Sequence, residues 1–180
     1  METEEKKFTF SQGMQLLTTG FEWEAGLFIE TFKILSERLS REEAKDILGQ
    51  AMYRAGYQLG VDATQFAGSL DPKGMAQAWD SIYGMGSDIA QKLDEEQFII
   101  RGQNCAAFNL FKRWGVSMED IRFICDAYCV GDVGQAEGFS SQMHFQHTER
   151  LMFGDDGCVW EYSCSPQPAS PSAVPLPESE

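Results

Sequence analysis

The chain has 180 residues and carries 28 Asp and Glu against 14 Lys and Arg, a formal net charge of -14. That surplus repels phosphate backbones and anionic lipid surfaces, which argues against nucleic acid or a membrane as partner. At this size one core buries about two-thirds of the unfolded surface, so neither a metal nor a disulfide is needed to hold the fold. The segment Met1 to Lys7 lacks the basic start and apolar run of a secretory signal, and no uncharged run of about 18 apolar residues follows. A cytoplasmic location is therefore expected, in which the five cysteines stay reduced.

From Ser11 to about Arg38 the residues Met14, Leu17, Phe21, Ala25, Phe28, Phe32 and Leu35 recur every three or four positions. The spacing predicts one long amphipathic helix, or two with a break near Gly20. Ser40 followed by Glu43 is a capping-box pattern, and it starts a second helix at about Arg41 that runs through Ala44, Leu48, Ala55 and Leu59. Gly56 and Gly60 share one face of it, which permits a neighbouring backbone to come close. Asp71 and Pro72 read as an N-cap and first helical position, with the helix ending at Gly84 and Gly86.

Glu96 to Asn104, centred on Phe98-Ile99-Ile100, suits a strand, and Cys105 to Trp114 a helix stopped by Gly115. Ser117 with Asp120 opens another helix through Ile121, Ile124, Cys125 and Tyr128 to about Val130. Two extended runs, Gln142 to Phe153 and Cys158 to Ser163, flank Gly154-Asp155-Asp156-Gly157, which predicts a tight hairpin. The Pro-rich stretch from Ser165 has little apolar surface to bury and is expected to be disordered. The reading is thus a flexible segment 1–10, one α+β domain over 11–164 and a disordered tail 165–180. Its N-terminal helical layer packs on a small antiparallel sheet that ends in the C-terminal hairpin.

Three groups of side chains carry potential chemistry: Cys105 at a strand-to-helix junction, Cys125 with Cys129 and Asp132 on one helix face, and Cys158 opening the last strand. A thiolate needs a cation, a helix N-terminus or a base to lower its pKa. Cys125 and Cys129 fall late in their helix, so help comes from elsewhere, with His147 and Arg101 the candidates. His144 and His147, three apart on a strand, face opposite sides, and Cys125-x-x-x-Cys129 is not the usual zinc spacing. No phosphate-binding or dinucleotide-binding glycine pattern and no nucleophile elbow appear, so no cofactor is expected.

The units Cys129-Val-Gly-Asp132, Glu137-Gly138-Phe139, Phe145-Gln-His-Thr148 and Gly154-Asp155-Asp-Gly-Cys158 together resemble the L-2-amino-thiazoline-4-carboxylic acid hydrolase-like family, best between Cys105 and about Ser163. The Gly-Asp-x-x-Cys ending is also similar to vinyl-reductase-type small-molecule-binding domains. The resemblance implies a pocket between helices and sheet, approached by Cys105, Cys129, Asp132 and Cys158. It also implies a hydrolase that opens a C–N or C–S bond in a cyclic amidine or thiazoline, with Cys129 attacking and Asp132 handling the proton. The family commonly has arginine where this chain has His147, which leaves contact with a substrate carboxylate to Arg150 or Arg101, and Cys125 is an additional thiol. Two other readings stand beside this one: a non-catalytic small-molecule-binding domain, and a cysteine-ligated metal or haem protein. A homo-oligomer is left open.

Overall fold

In the computed structural model, which describes residues 9–84 and 89–164, every α-helix begins where the sequence supplies a cap. Helix α1 spans Phe10–Ser36 and α2 spans Arg41–Ala63, each behind a reciprocal capping box, Thr9 with Gln12 and Ser40 with Glu43. Helix α3, Pro72–Tyr83, starts with Asp71 accepting from the Gly74 N–H at 2.8 Å and stops at Gly84, whose φ of 71° is left-handed. Helix α4, Ala106–Arg113, is capped by Cys105, and α5, Met118–Phe139, by Ser117. The proposed break near Gly20 is absent, since α1 runs through it. Segments 1–8 and 165–180 and Gly86 lie outside the described residues, and with them the expectations of a flexible start and a disordered tail.

Helix α5 runs about two turns beyond the boundary expected near Val130. Its glycines explain both the expectation and the outcome. A Cβ at Gly56 would lie 1.9 Å from the Gly131 carbonyl oxygen, and one at Gly60 would lie 2.1 Å from that of Gln135. From the other side, a Cβ at Gly134 would meet the Tyr53 carbonyl oxygen at 2.2 Å and one at Gly138 that of Tyr57 at 2.0 Å. The backbones of α2 and α5 are therefore in direct contact along two turns of each. The dispersion gained over that contact outweighs the roughly 1 kcal/mol of helix propensity lost at each glycine.

Four antiparallel strands complete the fold in the order β1-β2-β4-β3: β1 Ala90–Leu93, β2 Gln97–Gly102, β3 His144–Glu149 and β4 Cys158–Ser163. Strand β1 was not expected, because Ala90-Gln-Lys-Leu93 has no alternating apolar face to announce it. Register places Phe98 opposite Tyr162 and Tyr162 opposite Phe145, then Ile100 opposite Trp160 and Trp160 opposite His147, then Gly102 opposite Cys158. These residues share the helix-facing side, and Phe98 and Tyr162 are fully buried there. On the other side Gln97 and Gln146 each donate to Glu161. The hairpin is not tight: a 3₁₀ turn at Leu151–Phe153 and a left-handed Gly154, φ 104°, lengthen the link from β3 to β4.

Two hydrophobic cores result. One joins Phe28, Ile29 and Phe32 of α1 to Phe111, Ile121 and Ile124, and the other joins Met75 and Ala78 of α3 to Phe98, Phe139 and Tyr162. Cys125 belongs to the first core, where Cys105 and Cys129 pack against it. Among the described residues no helix is long and apolar enough to cross a membrane.

Candidate active site

Cys105 sits where β2 hands over to α4, and its sulfur accepts the Phe108 backbone N–H at 3.5 Å. Its pKa falls from 9.0 to about 7, first through interaction with the Cys158 thiol and then through the backbone N–H groups of Phe108 and Ala107, against the opposing effect of burial. The same pairing drives Cys158 upward, so the shared proton rests on Cys158 and the charge on Cys105. Cys158 is buried on the helix-facing side of β4, and its sulfur accepts from the Leu151 N–H at 3.5 Å.

Cys125 and Cys129 occupy successive turns of α5 with sulfurs 3.9 Å apart. Cys125 is lowered by Cys129 and then by the Arg150 guanidinium. Cys129 is pushed well above its ordinary value by Cys125, by burial, and by the charges of Asp132 and Cys105. Of these thiols, then, Cys105 has the helix N-terminus that favours a thiolate, and Cys129 is held protonated.

Asp132 lies three residues beyond Cys129 on the uninterrupted helix, its Oδ2 3.8 Å from His147 Nε2. Burial, and after it the negative charge of Glu24, raise its pKa from 3.8 to about 7, with a hydrogen bond from Trp160 acting in the other direction. The carboxyl still keeps 32 % of its surface accessible. His147, only 5 % exposed, is lowered to about 4 by burial and then by the charge of Arg150. Asp132 gives it no support, because Asp132 is already protonated in the pH range where the imidazole would ionise. The contact is therefore a neutral imidazole beside a carboxyl poised between its two forms, and not an ion pair.

The two candidate arginines have carboxylate partners within the protein. Arg101 meets both oxygens of Glu149, at 2.8 and 2.5 Å, and Arg150 meets Asp126. His144 is exposed, as the strand alternation requires. Among the described residues no set of three or more His, Cys, Asp or Glu is arranged to hold a metal. A separate surface cleft of about 480 Å³, lined by Phe32, Arg41, Trp114 and Asp120 among others, includes none of these residues.

Several residues of the site were not singled out from the sequence. Phe32 of α1 packs on Phe123 of α5 with centroids 6.1 Å apart, and Phe28 packs on Tyr128 at 5.2 Å, so the two helices run antiparallel. One turn before Phe28 on α1, Glu24 acts on Asp132 of α5 through its charge, second to burial. Glu24's charge accordingly raises Asp132, Tyr128 and Tyr83. Its own pKa is raised by desolvation although its surface is exposed, which places it at a rim. The available signal was a carboxylate four residues before Phe28 on the inward stripe of α1. Trp160 and Tyr162 arrive through the alternation of β4, which the aromatic-rich sequence Val159-Trp-Glu-Tyr162 displays.

A helical layer over an antiparallel sheet defines an α+β domain. The sequence model of the family described as L-2-amino-thiazoline-4-carboxylic acid hydrolase matches residues 20–162, and the chain belongs to that family. No curated protein matches the chain. The matched span contains Glu24 as well as the residues from Arg101 to Tyr162 discussed above.

Proposed function

We propose that the chain is a thiol-dependent hydrolase of small cyclic amidines of the thiazoline type, with Cys105 as nucleophile and Asp132 as proton donor and acceptor. The observation that carries this reading is the N-cap position of Cys105, with a backbone N–H on its sulfur, together with the Asp132 carboxyl, whose pKa is raised to about 7. Burial, and after it the charges of Glu24, Cys105, Cys129 and Asp132, raise the Tyr128 hydroxyl. Family resemblance pointed to Cys129 as nucleophile. Its charge environment favours the thiol form, and it serves better as a wall of the site that keeps Asp132 in place.

In this mechanism the Cys105 thiolate adds to the electrophilic amidine carbon while the Asp132 proton passes to the ring nitrogen. The ring then opens at its C–N or C–S bond, and Asp132, now a carboxylate, takes a proton from the water that releases the product from sulfur. One water is consumed and the thiolate is regenerated. Neutral His147 orients the Asp132 carboxyl without competing for the proton. Turnover of 2-aminothiazoline-type compounds by purified variants tests the assignment. Cys105→Ser is expected to abolish product formation and Cys129→Ser to retain most of it; full activity in Cys105→Ser overturns the nucleophile. A ligand that raises the melting temperature but is recovered unchanged from the wild-type protein identifies a binding module instead.

A further inference from the structure

We infer that the outer face of α1 is a self-association surface, on which two copies of the chain pair their first helices antiparallel about a two-fold axis beside Thr18. No residue from Ser11 to Glu24 is buried, whereas Ala25, Phe28, Ile29 and Phe32 of the same helix enter the first core. About four turns of α1 therefore stand clear of both cores, and a helical stretch of that length is marginal in water without packing. Its outer stripe is apolar and spaced as a heptad, Gly13, Leu16, Gly20, Trp23 and Leu27, with Leu16 58 %, Trp23 76 % and Leu27 61 % exposed. At about 3.6 residues per turn this stripe lies on the far side of the helix from the residues that enter the core.

The two glycines point to a second helix as the occupant. Every other helical glycine among the described residues abuts a neighbour, as Gly26 does the Trp114 ring and Gly56 the Gly131 carbonyl. Gly13 and Gly20 have nothing within 4 Å of the place where a Cβ would stand. They lie inside a regular helix, where glycine costs propensity and its conformational freedom goes unused. What they supply is a flat seat for a large side chain from outside. Antiparallel pairing about Thr18 sets Trp23 of each protomer over Gly13 of its partner and Leu16 over Gly20. The stripe is then its own complement, as a two-fold interface requires. The chain already seats a tryptophan this way, since a Cβ at Gly26 would lie 2.9 Å from the Trp114 ring.

Charge favours a second copy in the same place. The chain carries a net charge of -14, yet Thr9 to Phe21 has no charged residue. In this register Glu22 and Glu24 come opposite Met14 and Gln12, so carboxylates do not face one another. The overlap from Thr9 to Leu27 is about 27 Å long and one helix wide, which buries less than the roughly 800 Å² per partner of a standard interface. The dimer is accordingly weak and forms as concentration rises.

Sedimentation velocity of the full chain from about 1 to 200 μM tests the inference. The average mass should climb from monomer towards dimer across that range, and added NaCl should favour the dimer by screening the two acidic bodies. Gly20→Leu fills space that is open in the monomer, so its Tm should not fall, while association weakens at least about tenfold. Trp23→Glu should weaken association as much, and Leu59→Glu, at an exposed position of α2, should leave it unchanged. A chain that stays monomeric up to about 200 μM, a dimer indifferent to Gly20→Leu or to Trp23→Glu, or one lost equally in Leu59→Glu overturns the inference. So does a monomer whose tryptophan fluorescence shifts on uncharged phosphatidylcholine vesicles only while Trp23 is present, a result that assigns the stripe to lipid.

Discussion

Replacing Gly56 by alanine adds one methyl group at the tightest point between α2 and α5. The new Cβ would lie 1.9 Å from the Gly131 carbonyl oxygen and 2.7 Å from its carbon, where real Cβ contacts essentially never come under 3.0 Å. The obstacle is backbone, so no rotamer change relieves it, and the helices must separate by about 1 Å. A gap of that size forfeits a quarter to a half of the dispersion at every neighbouring contact. Gly60, Gly134 and Gly138 lie on the same interface and lose contact together. Overpacking costs about 1–3 kcal/mol or more, and alanine returns at most about 1 kcal/mol of helix propensity. A net loss of about 2 kcal/mol corresponds to a fall in Tm of roughly 4–8 °C for a chain of this size. Gly49→Ala is the matched control, because its Cβ would meet the Ala127 methyl at an ordinary 3.5 Å. That variant should melt about 2–4 °C higher than the parent. Thermal unfolding followed by circular dichroism reads both. If Gly56→Ala melts within 2 °C of the parent, roughly the effect of 1 kcal/mol or less, the backbone contact described for α2 and α5 is refuted.

Activity should follow a narrow bell centred near neutrality, rising as Cys105 loses its proton and falling as Asp132 loses its own, since both pKa values are near 7. Because Glu24 raises Asp132, Glu24→Gln should move the alkaline limb of that profile to lower pH; an unmoved limb would separate the two carboxyls. Asp132→Asn should lower the turnover number more than it weakens binding. The same variant reports on stability: a carboxyl with a raised folded pKa contributes fully below about 3.8 and loses that contribution as pH rises through about 7. Asp132→Asn should therefore gain in Tm relative to the parent as pH goes from 4 to 8, as measured by scanning fluorimetry, and a constant difference would show that Asp132 ionises freely. Tyr162→Phe removes a buried hydroxyl without a partner, so it should stabilise the protein by about 1 kcal/mol.

Caps and periodicity were legible because they are local. Ser40, Asp71 and Ser117 each mark a helix start through a bond to a residue three positions away, and the apolar stripe of α1 needs only its own spacing. The C-terminal part of α5 was hidden because Gly131, Gly134 and Gly138 are breakers in isolation and become assets only against Gly56 and Gly60 of another helix. Strand β1 was missed because pairing with β2, rather than its own composition, makes it a strand. At the site, the spacing of Cys125, Cys129 and Asp132 gave their shared helix face. Which thiol is charged depends on the Phe108 N–H and on the proximity of Cys158, and no sequence interval encodes that proximity. Glu24 is the same case, since no sequence interval brings its charge within range of Asp132.

The most direct measurement of the central claim is the rate of alkylation at each cysteine by iodoacetamide as a function of pH, read residue by residue by mass spectrometry of the native protein. The account predicts that Cys105 reacts with an apparent pKa of about 7 and that Cys129 is slower than Cys105 throughout the neutral range. A Cys105 transition at or above 9.0, its unperturbed value, or a Cys129 that reacts first, would contradict it.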